Sequence, residues 1–381
     1  MGDKRSIIRL KNIMRNKIWI TILIIVILIV LVVVFGLRKQ EEDVIKIGVI
    51  SPLTGEGASA YGESVKRGVL LALKEIENKK IELIFEDSKC SVMSAITAAK
   101  KLVEVDRVKM IIGDACWTDK FATITEPNKV LVISTGSAQS EVREAGDYVF
   151  RLKLDVSVDS KELARELYNN QNIRKASIFF ANDNWGSGIA KNFEDEFVKL
   201  DGEILSREGF LQAEKDFRTP LLKTKEKNPE IIIIGAYPSQ VGLIAKQARE
   251  LGIDVKFAAY RGGLGPKTIE IGGSAVDGLI FLEEFDVDSK SLRVESFAKK
   301  FKDTYGKSPN LFAAMGYDAL HLYNLAIKEC GVNTDCIRDY FYDLDSYSGA
   351  TGTFTFDEKG DVVKSLVLME IKNGQFIKYE E

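Results

Sequence analysis

Hydrophobic and polar residues recur with two different periods along the chain after residue 44. Short runs of β-branched residues, typical of buried strands, are separated by stretches whose apolar residues recur every three to four positions, as in amphipathic helices. Strands are predicted at 46–51, 81–86, 110–113, 130–134, 176–180, 203–210, 231–234, 255–259 and 279–282. This regular alternation predicts α/β architecture, with parallel sheets and crossover helices.

The predicted strands form two successive units, and the chain then departs from that rhythm. The second unit ends at the acidic pair Glu283-Glu284, which we assign to a hinge or to a solvated edge. Three helices and two β-type stretches follow, at 292–305, 313–329, 335–341, 352–356 and 362–371. This order does not fit two lobes laid end to end, so we expect the chain to cross between lobes more than once.

An apolar run of 20 uncharged residues lies between Lys17 and Arg38. At a rise of about 1.5 Å per residue, this run matches the hydrocarbon core of a bilayer, which predicts a transmembrane anchor at 18–37. The basic residues up to Lys17 predict a cytoplasmic N-terminus, with everything after Arg38 outside the cell membrane. A cleaved signal peptide is the alternative, although the end of the run is a poor cleavage site.

Charge and histidine content argue against several classes of function. Beyond residue 39 the chain has 45 basic and 55 acidic residues and no polybasic block, so nucleic acid is not a predicted partner. The single histidine, His321, argues against a Ser-His-Asp triad and against a histidine-built metal site. The glycine-rich stretch 262–267 lacks the ending of a phosphate-binding loop. The chain is therefore predicted not to be an enzyme, and no cofactor is expected.

The four cysteines, Cys90, Cys116, Cys330 and Cys336, all lie in the exported part, where disulfides are stable. Cys330 and Cys336 bracket a polar turn at a helix end, which favours a short local bridge. Cys90 and Cys116 each follow a predicted strand, so a parallel sheet places both at the same edge. Free thiols in the core are the alternative. Neither spacing is typical of zinc or redox sites.

Ligands of open α/β sheets bind beyond the carboxyl ends of the strands, where loops meet helix N-termini. The loop at 134–140 is rich in hydroxyl groups and suits a carboxylate. Four aromatic residues also fall in such loops, namely Tyr61, Trp117, Trp185 and Tyr237. One aromatic residue in a loop often covers the core, but four at corresponding places favour a ligand site.

Several short segments occur in a characteristic order and spacing. They are Ile47-Gly48-Val49-Ile50-Ser51-Pro52-Leu53-Thr54-Gly55, Tyr61-Gly62, Ile112-Gly113 leading to Cys116, Ile133-Ser134 to Ser137, Trp185-Gly186, Gly235-Ala236-Tyr237-Pro238 and Gly349-Ala350-Thr351-Gly352. From about residue 45 to 367, the chain thereby resembles the type I periplasmic binding proteins. The similarity is specifically to the leucine/isoleucine/valine-binding receptors of branched-chain amino-acid ABC transporters.

The resemblance implies two doubly wound parallel-sheet lobes joined by a hinge that the chain crosses three times. It also implies a disulfide between Cys90 and Cys116 beside the ligand site. With the N-terminal segments added, the expected organisation is a cytoplasmic N-terminus 1–17, an anchor 18–37, a linker 38–44, an N-terminal lobe 45–155 and 286–342, and a C-terminal lobe 156–285 and 343–381.

The family's ligand contacts can be carried over residue by residue. Those that would hold the α-carboxylate of the ligand are Trp117, Thr118, Ser137, Ala138 and Gln139. The aromatic residues that would close over the ligand are Tyr61, Trp185 and Tyr237.

Arg261 departs from the family pattern, because the family has an acid there that pairs with the ligand's ammonium. Three interpretations remain open at this stage. One of Asp114, Asp119 and Asp183 supplies the acid, Arg261 grips a second anionic or neutral group of the ligand, or Arg261 lies at a solvated rim.

The predicted function is that of an extracytoplasmic solute-binding receptor of an ABC transporter. An amino acid or a related small carboxylate would bind between the two lobes, and the closed form would be presented to a membrane permease. The alternative is a membrane-anchored sensing ectodomain that signals through a partner protein.

Overall fold

The computed structural model describes residues 44–55, 59–77, 80–114 and 116–380. Within those ranges, every helix is too short or too polar to traverse a bilayer. The predicted anchor at 18–37 lies outside the described residues.

The first sheet has five strands in the order β2-β1-β3-β4-β5. Its strands are β1 (Ile45–Ser51), β2 (Ile81–Asp87), β3 (Met110–Ile112), β4 (Leu131–Ser134) and β5 (Val149–Arg151). The pairs β1–β3, β3–β4 and β4–β5 are parallel, as the alternation of strands and helices predicts. The helices that follow its strands are α1 (Ser59–Glu75), α2 (Val92–Lys100) and α3 (Thr118–Thr125).

The second sheet has seven strands in the order β15-β14-β10-β9-β8-β6-β7. The parallel strands are β6 (Lys175–Ala181), β7 (Glu203–Phe210), β8 (Ile231–Gly235), β9 (Lys256–Ala259) and β10 (Ile280–Glu283). Its helices are α4 (Val156–Arg165), α5 (Asn184–Lys199), α6 (Arg218–Lys227), α7 (Pro238–Glu250) and α8 (Pro266–Gly272). The sheet is completed by two antiparallel strands, β14 (Val367–Lys372) and β15 (Gln375–Lys378).

The all-apolar strand β8 explains how the second sheet is stabilised. Ile232 and Ile234 belong to one buried cluster, and Ile231 and Ile233 belong to another on the opposite face. A strand buried on both faces needs apolar residues at every position rather than at alternate ones. Helices therefore cover both faces of this sheet.

The chain passes between the two large sheets three times, after β5, after β10 and before β14. Between the second and third passages it returns to the first sheet through α9 (Leu292–Tyr305), α10 (Leu311–Cys330) and α11 (Thr334–Tyr342). The hydroxyl of Tyr323 in α10 donates to the carbonyl of Ile111 in β3 at 2.9 Å. The expected three-crossing connection is therefore present.

Helix α10 approaches α1 closely at two glycines, Gly68 in α1 and Gly316 in α10. A Cβ atom on Gly68 would lie 1.9 Å from the carbonyl oxygen of Ala313, so only glycine allows this contact. The approach seats the returning helices on the first lobe.

A single strand predicted at 362–371 is in fact two strands in different sheets. β13 (Val362–Lys364) pairs with β12 (Gly352–Phe356) in a three-stranded sheet that also contains β11 (Tyr347–Gly349). β14 then joins the seven-stranded sheet beside β10. Apolar residues stand on both sides of the break, and no glycine or proline in 362–371 marks it.

The three-stranded sheet packs on the first lobe. The ring of Phe356 in β12 lies 5.1 Å from that of Phe150 in β5, and Asp361 forms a parallel bridge with Arg151. We therefore place 347–364 with the first sheet, although the predicted boundary assigned them to the C-terminal lobe. The remaining lobe boundaries stay predictions.

Candidate ligand-binding site

The carboxyl end of β3 turns through a glycine. Gly113 has φ +141°, and a Cβ atom there would lie 2.0 Å from the carbonyl oxygen of Ile50. Both the backbone conformation and the space require glycine. The turn directs the chain into Asp114 and towards α3, which carries the first predicted ligand residues.

Thr118 and Ser137 are brought together, as the sequence predicts, but both are buried. The Thr118 N–H donates to Ser137 Oγ at 3.2 Å, and Thr118 Oγ1 lies 2.8 Å from Ser134 Oγ. Ser137 Oγ also donates to the carbonyl of Asp114 at 3.1 Å. These hydroxyls join the loops after β3 and β4 into one rigid unit. Their direct contact with a ligand stays a prediction.

Both disulfides are present in the structure, Cys90–Cys116 and Cys330–Cys336. The first stands beside two predicted ligand residues. Trp117 Nε1 donates to the carbonyl of Cys90, and Gln139 Nε2 donates to the carbonyl of Cys116, each at 2.8 Å. The bridge therefore fixes the positions of the indole and of the 137–139 loop relative to each other.

In the 137–139 loop, the backbone carbonyls and the backbone N–H groups differ in their hydrogen bonding. Arg151 donates to the carbonyls of Ser137 and Gln139, and the Val156 N–H donates to that of Ala138. The N–H groups of Ala138 and Gln139 donate to no acceptor among the described residues. Backbone N–H groups without an acceptor in the protein are available to an anionic ligand.

Tyr61 lies near the start of α1, and its ring centroid is 4.7 Å from that of Phe312. Tyr61 is 46% exposed, so the ring is available at the surface of the first lobe. Phe312, which was not predicted from the sequence, therefore lies beside a predicted site residue. The available signal was an aromatic residue in the first turn of a helix, two positions after the N-cap Asn310.

Trp185 and Tyr237 follow β6 and β8 at the carboxyl edge of the second sheet. Their ring centroids lie 5.3 Å apart. A Cβ atom on Gly262, in the loop after β9, would lie 2.9 Å from Trp185 Cζ2. Three loops of the second sheet therefore meet around one aromatic pair.

Asp183 is the acid that lies beside this aromatic pair. It caps α5, because one carboxylate oxygen accepts from the Gly186 N–H at 2.8 Å. The other oxygen accepts from the Tyr237 hydroxyl at 3.0 Å. Burial, assisted by this bond to Asp183, raises the pKa of Tyr237 to about 12, so the phenol remains a donor at neutral pH.

The other two candidate acids lie at the first sheet. Asp114 is buried and accepts from the Ser88 hydroxyl at 3.2 Å. Asp119 forms an ion pair with Lys120 at 2.7 Å. Asp183 contacts a predicted aromatic residue, Tyr237, through its side chain.

Arg261 has partners of its own. Its Nε donates to Glu283 Oε2 at 2.5 Å, and a terminal nitrogen donates to the carbonyl of Leu264 at 2.9 Å. The guanidinium carbon lies 5.3 Å from the ring centroid of Phe376 in β15. Since β10 and β15 lie on the opposite side of β9 from β8 and β6, Arg261 extends away from the aromatic pair. Contact between Arg261 and a ligand stays a prediction.

Comparisons with known proteins agree with this architecture. A family model described as a periplasmic binding protein matches residues 44–375. The leucine-, isoleucine-, valine-, threonine- and alanine-binding protein of Pseudomonas aeruginosa is 27% identical over 367 residues, which cover 91% of this chain and 92% of that protein.

Solved structures of substrate-binding proteins also superpose on the chain. A leucine-binding protein from Thermotoga maritima has a TM-score of 0.76 at 30% identity, covering 88% of this chain and 98% of that one. A branched-chain amino-acid transporter substrate-binding protein from Streptococcus pneumoniae, in complex with isoleucine, has a TM-score of 0.74 at 27% identity, covering 87% and 97%. The chain belongs to the periplasmic binding protein family, and within it to the type I proteins of the branched-chain amino-acid group.

Proposed function

We propose that the chain is the substrate-binding protein of an ABC transporter and that it captures an amino acid with an apolar side chain between its lobes. The observation that carries the proposal is the hydrogen-bond pattern of the backbone in the 137–139 loop. Its carbonyls are bonded within the protein, while the N–H groups of Ala138 and Gln139 have no acceptor in the described part of the chain. An α-carboxylate would supply those acceptors with charge-assisted hydrogen bonds.

The second lobe offers groups suited to the other end of an amino acid. Asp183 would accept from the ammonium, and the rings of Trp185 and Tyr237 would cover the ligand. The charge of Arg261 is compensated by Glu283, so it need not repel an ammonium nearby. The relatives named for leucine, isoleucine and valine support an apolar side chain.

Closure around the ligand would create the surface that a permease recognises, since only the closed form brings both lobes into contact. The apolar run at 18–37 would keep the protein at the outer face of the cell membrane, with its N-terminus in the cytoplasm. An anchored receptor of this kind would stay near its permease without diffusing away.

Calorimetric titration of the purified full-length chain tests the proposal. The ligands are aliphatic amino acids, small dicarboxylates and aromatic acids, and we expect saturable binding of leucine, isoleucine or valine. Leucinamide, which has the shape of leucine but no negative charge, should bind more weakly than leucine. The proposal would be wrong if none of these ligands gave either heat or a shift in melting temperature.

A further inference from the structure

Arg151, at the end of β5, is among the largest fully buried side chains of the described residues, with 1% of its surface exposed. Its Nε and one terminal nitrogen donate to the two carboxylate oxygens of Asp361, both at 2.7 Å. That same nitrogen donates to Asp155 at 3.1 Å. The remaining nitrogen donates to the carbonyls of Gln139 at 2.8 Å and Ser137 at 3.4 Å. One guanidinium therefore links the 137–139 loop to two acids.

The two acids belong to segments that connect the lobes. Asp155 caps α4, immediately after the first passage of the chain between the sheets, and its carboxylate also accepts from the Ser140 hydroxyl at 3.0 Å. Asp361 precedes β13, on the approach to the third passage. Arg151 therefore hydrogen-bonds both to the 137–139 loop and to two segments that connect the lobes.

We propose that Arg151 is a positioning residue for binding of the ligand carboxylate, an inference that rests on the function proposed above. By holding the carbonyls of Ser137 and Gln139 on one side, it leaves the intervening N–H groups to the ligand. The planar fork is essential, because one guanidinium binds carboxylates and carbonyls in different directions simultaneously. A lysine would keep the charge but could not hold the same geometry. Arg151 itself does not touch the ligand.

The test is Arg151→Lys in the full-length chain, with leucine and leucinamide as calorimetric probes. We expect the affinity for leucine to fall by about tenfold or more, equivalent to ~1.4 kcal/mol. The affinity for leucinamide should change far less, because that probe has no carboxylate to place. An equal loss for both probes would overturn the inference and leave Arg151 with a purely structural role.

Arg143→Lys is the matched control. Arg143 also donates to Asp361, at 2.9 Å, and to Asp357, at 2.6 Å, but within the described residues it donates to none of the loop carbonyls. We expect this variant to keep the preference for leucine over leucinamide. A loss of preference as large as that of Arg151→Lys would also contradict the inference.

Hydrogen exchange of the ligand-free protein gives a readout that does not depend on the ligand. The amides of Val142 and Val156, which donate to the carbonyls of Gln139 and Ala138, should exchange faster in Arg151→Lys than in the unchanged protein or in Arg143→Lys. If the unchanged protein binds no leucine, the proposed ligand fails, and this exchange rate still decides the role of Arg151. Unchanged exchange would overturn that role.

Asp155→Asn replaces Arg151→Lys if the latter does not fold. Asparagine caps a helix as well as aspartate does, but it removes one of the charges that hold Arg151. We expect the same loss of preference for leucine, at a smaller size. An unaltered preference would contradict the proposed role.

Discussion

Asp183→Asn is expected to lower the affinity for leucine by about 30-fold or more, because truncating one partner of a buried charge pair costs about 2–5 kcal/mol. The ligand's ammonium would be enclosed without its counter-charge. Asparagine can still cap α5 through its amide oxygen, and its amide nitrogen can donate to the Tyr237 hydroxyl oxygen, so the fold should persist. Calorimetry with leucine measures the loss, and thermal unfolding checks the fold.

Asp119→Asn is the control for Asp183→Asn. Asp119 lies at the first sheet and is paired with Lys120, so its neutralisation should not produce a comparable loss of affinity. The opposite result, with Asp119 essential and Asp183 dispensable, would contradict the assignment of the ammonium to Asp183.

Glu284→Gln is expected to lower the free energy of unfolding by about 3–5 kcal/mol, the usual range when one partner of a buried ion pair is removed. Glu284 has 5% of its side chain exposed and forms an ion pair with Lys153. It also lies 3.5 Å from the ammonium of Lys364, whose side chain is 2% exposed. Glutamine would leave both buried lysines without the carboxylate that contacts them. Chemical denaturation of the two proteins gives the difference.

Glu270→Gln is the matched control for this change. Glu270 pairs with Lys267 at 2.8 Å, but both side chains are more than half exposed. Exposed pairs contribute about 0–1 kcal/mol, so this variant should unfold almost as the unchanged protein does. Equal destabilisation by both substitutions would show that the buried ion pairs of Glu284 do not stabilise the hinge more than an exposed pair does.

The effect of Glu284 should depend on pH in a defined direction. Burial alone would raise the pKa of Glu284, but Lys153 and Lys364 outweigh it and hold the pKa below its ordinary value. A lowered pKa stabilises the fold above the unfolded value, which is about 4.3 for glutamate, and that stabilisation is lost as the pH falls through the folded value. The difference between the two proteins should therefore shrink in acid.

Glu284 ties together the three passages between the lobes. Lys153 belongs to the first, Glu284 to the second and Lys364 to the third. The Leu154 N–H also donates to Glu284 at 3.1 Å. Of the two places suggested by the sequence for the pair Glu283-Glu284, the hinge is the one found, because both residues are buried.

The parallel strands could be predicted from the sequence because burial on both faces leaves continuous apolar runs such as 231–234. The C-terminal hairpin could have been predicted but was not. Asn373 and Gly374 have φ +51° and +71°, and they join β14 to β15. Asn-Gly is the common sequence of such a turn, so the missed signal was local.

The side-chain pairs of the site that could not be predicted from the sequence join residues that are far apart along the chain. Arg151 and Asp361 are 210 positions apart, and no periodic pattern connects them. Arg261 departs from the family pattern in the sequence, but its partner Glu283 ends the next strand, β10, and became evident only from the fold. Residues grouped by one loop were easier to find. Ser137, Ala138 and Gln139 follow a single strand and share its edge of the sheet.

The central claim is that two half-sites, on separate sheets, close around one ligand. A pair of spin labels tests it in the full-length chain, at Met93→Cys beside the first sheet and at Leu211→Cys beside the second. Met93 and Leu211 are 70% and 68% exposed, and all four native cysteines are in disulfides, so only the new thiols would be labelled. We expect saturating leucine to shorten the distance between the labels. An unchanged distance, when calorimetry shows that leucine is bound, would contradict the claim.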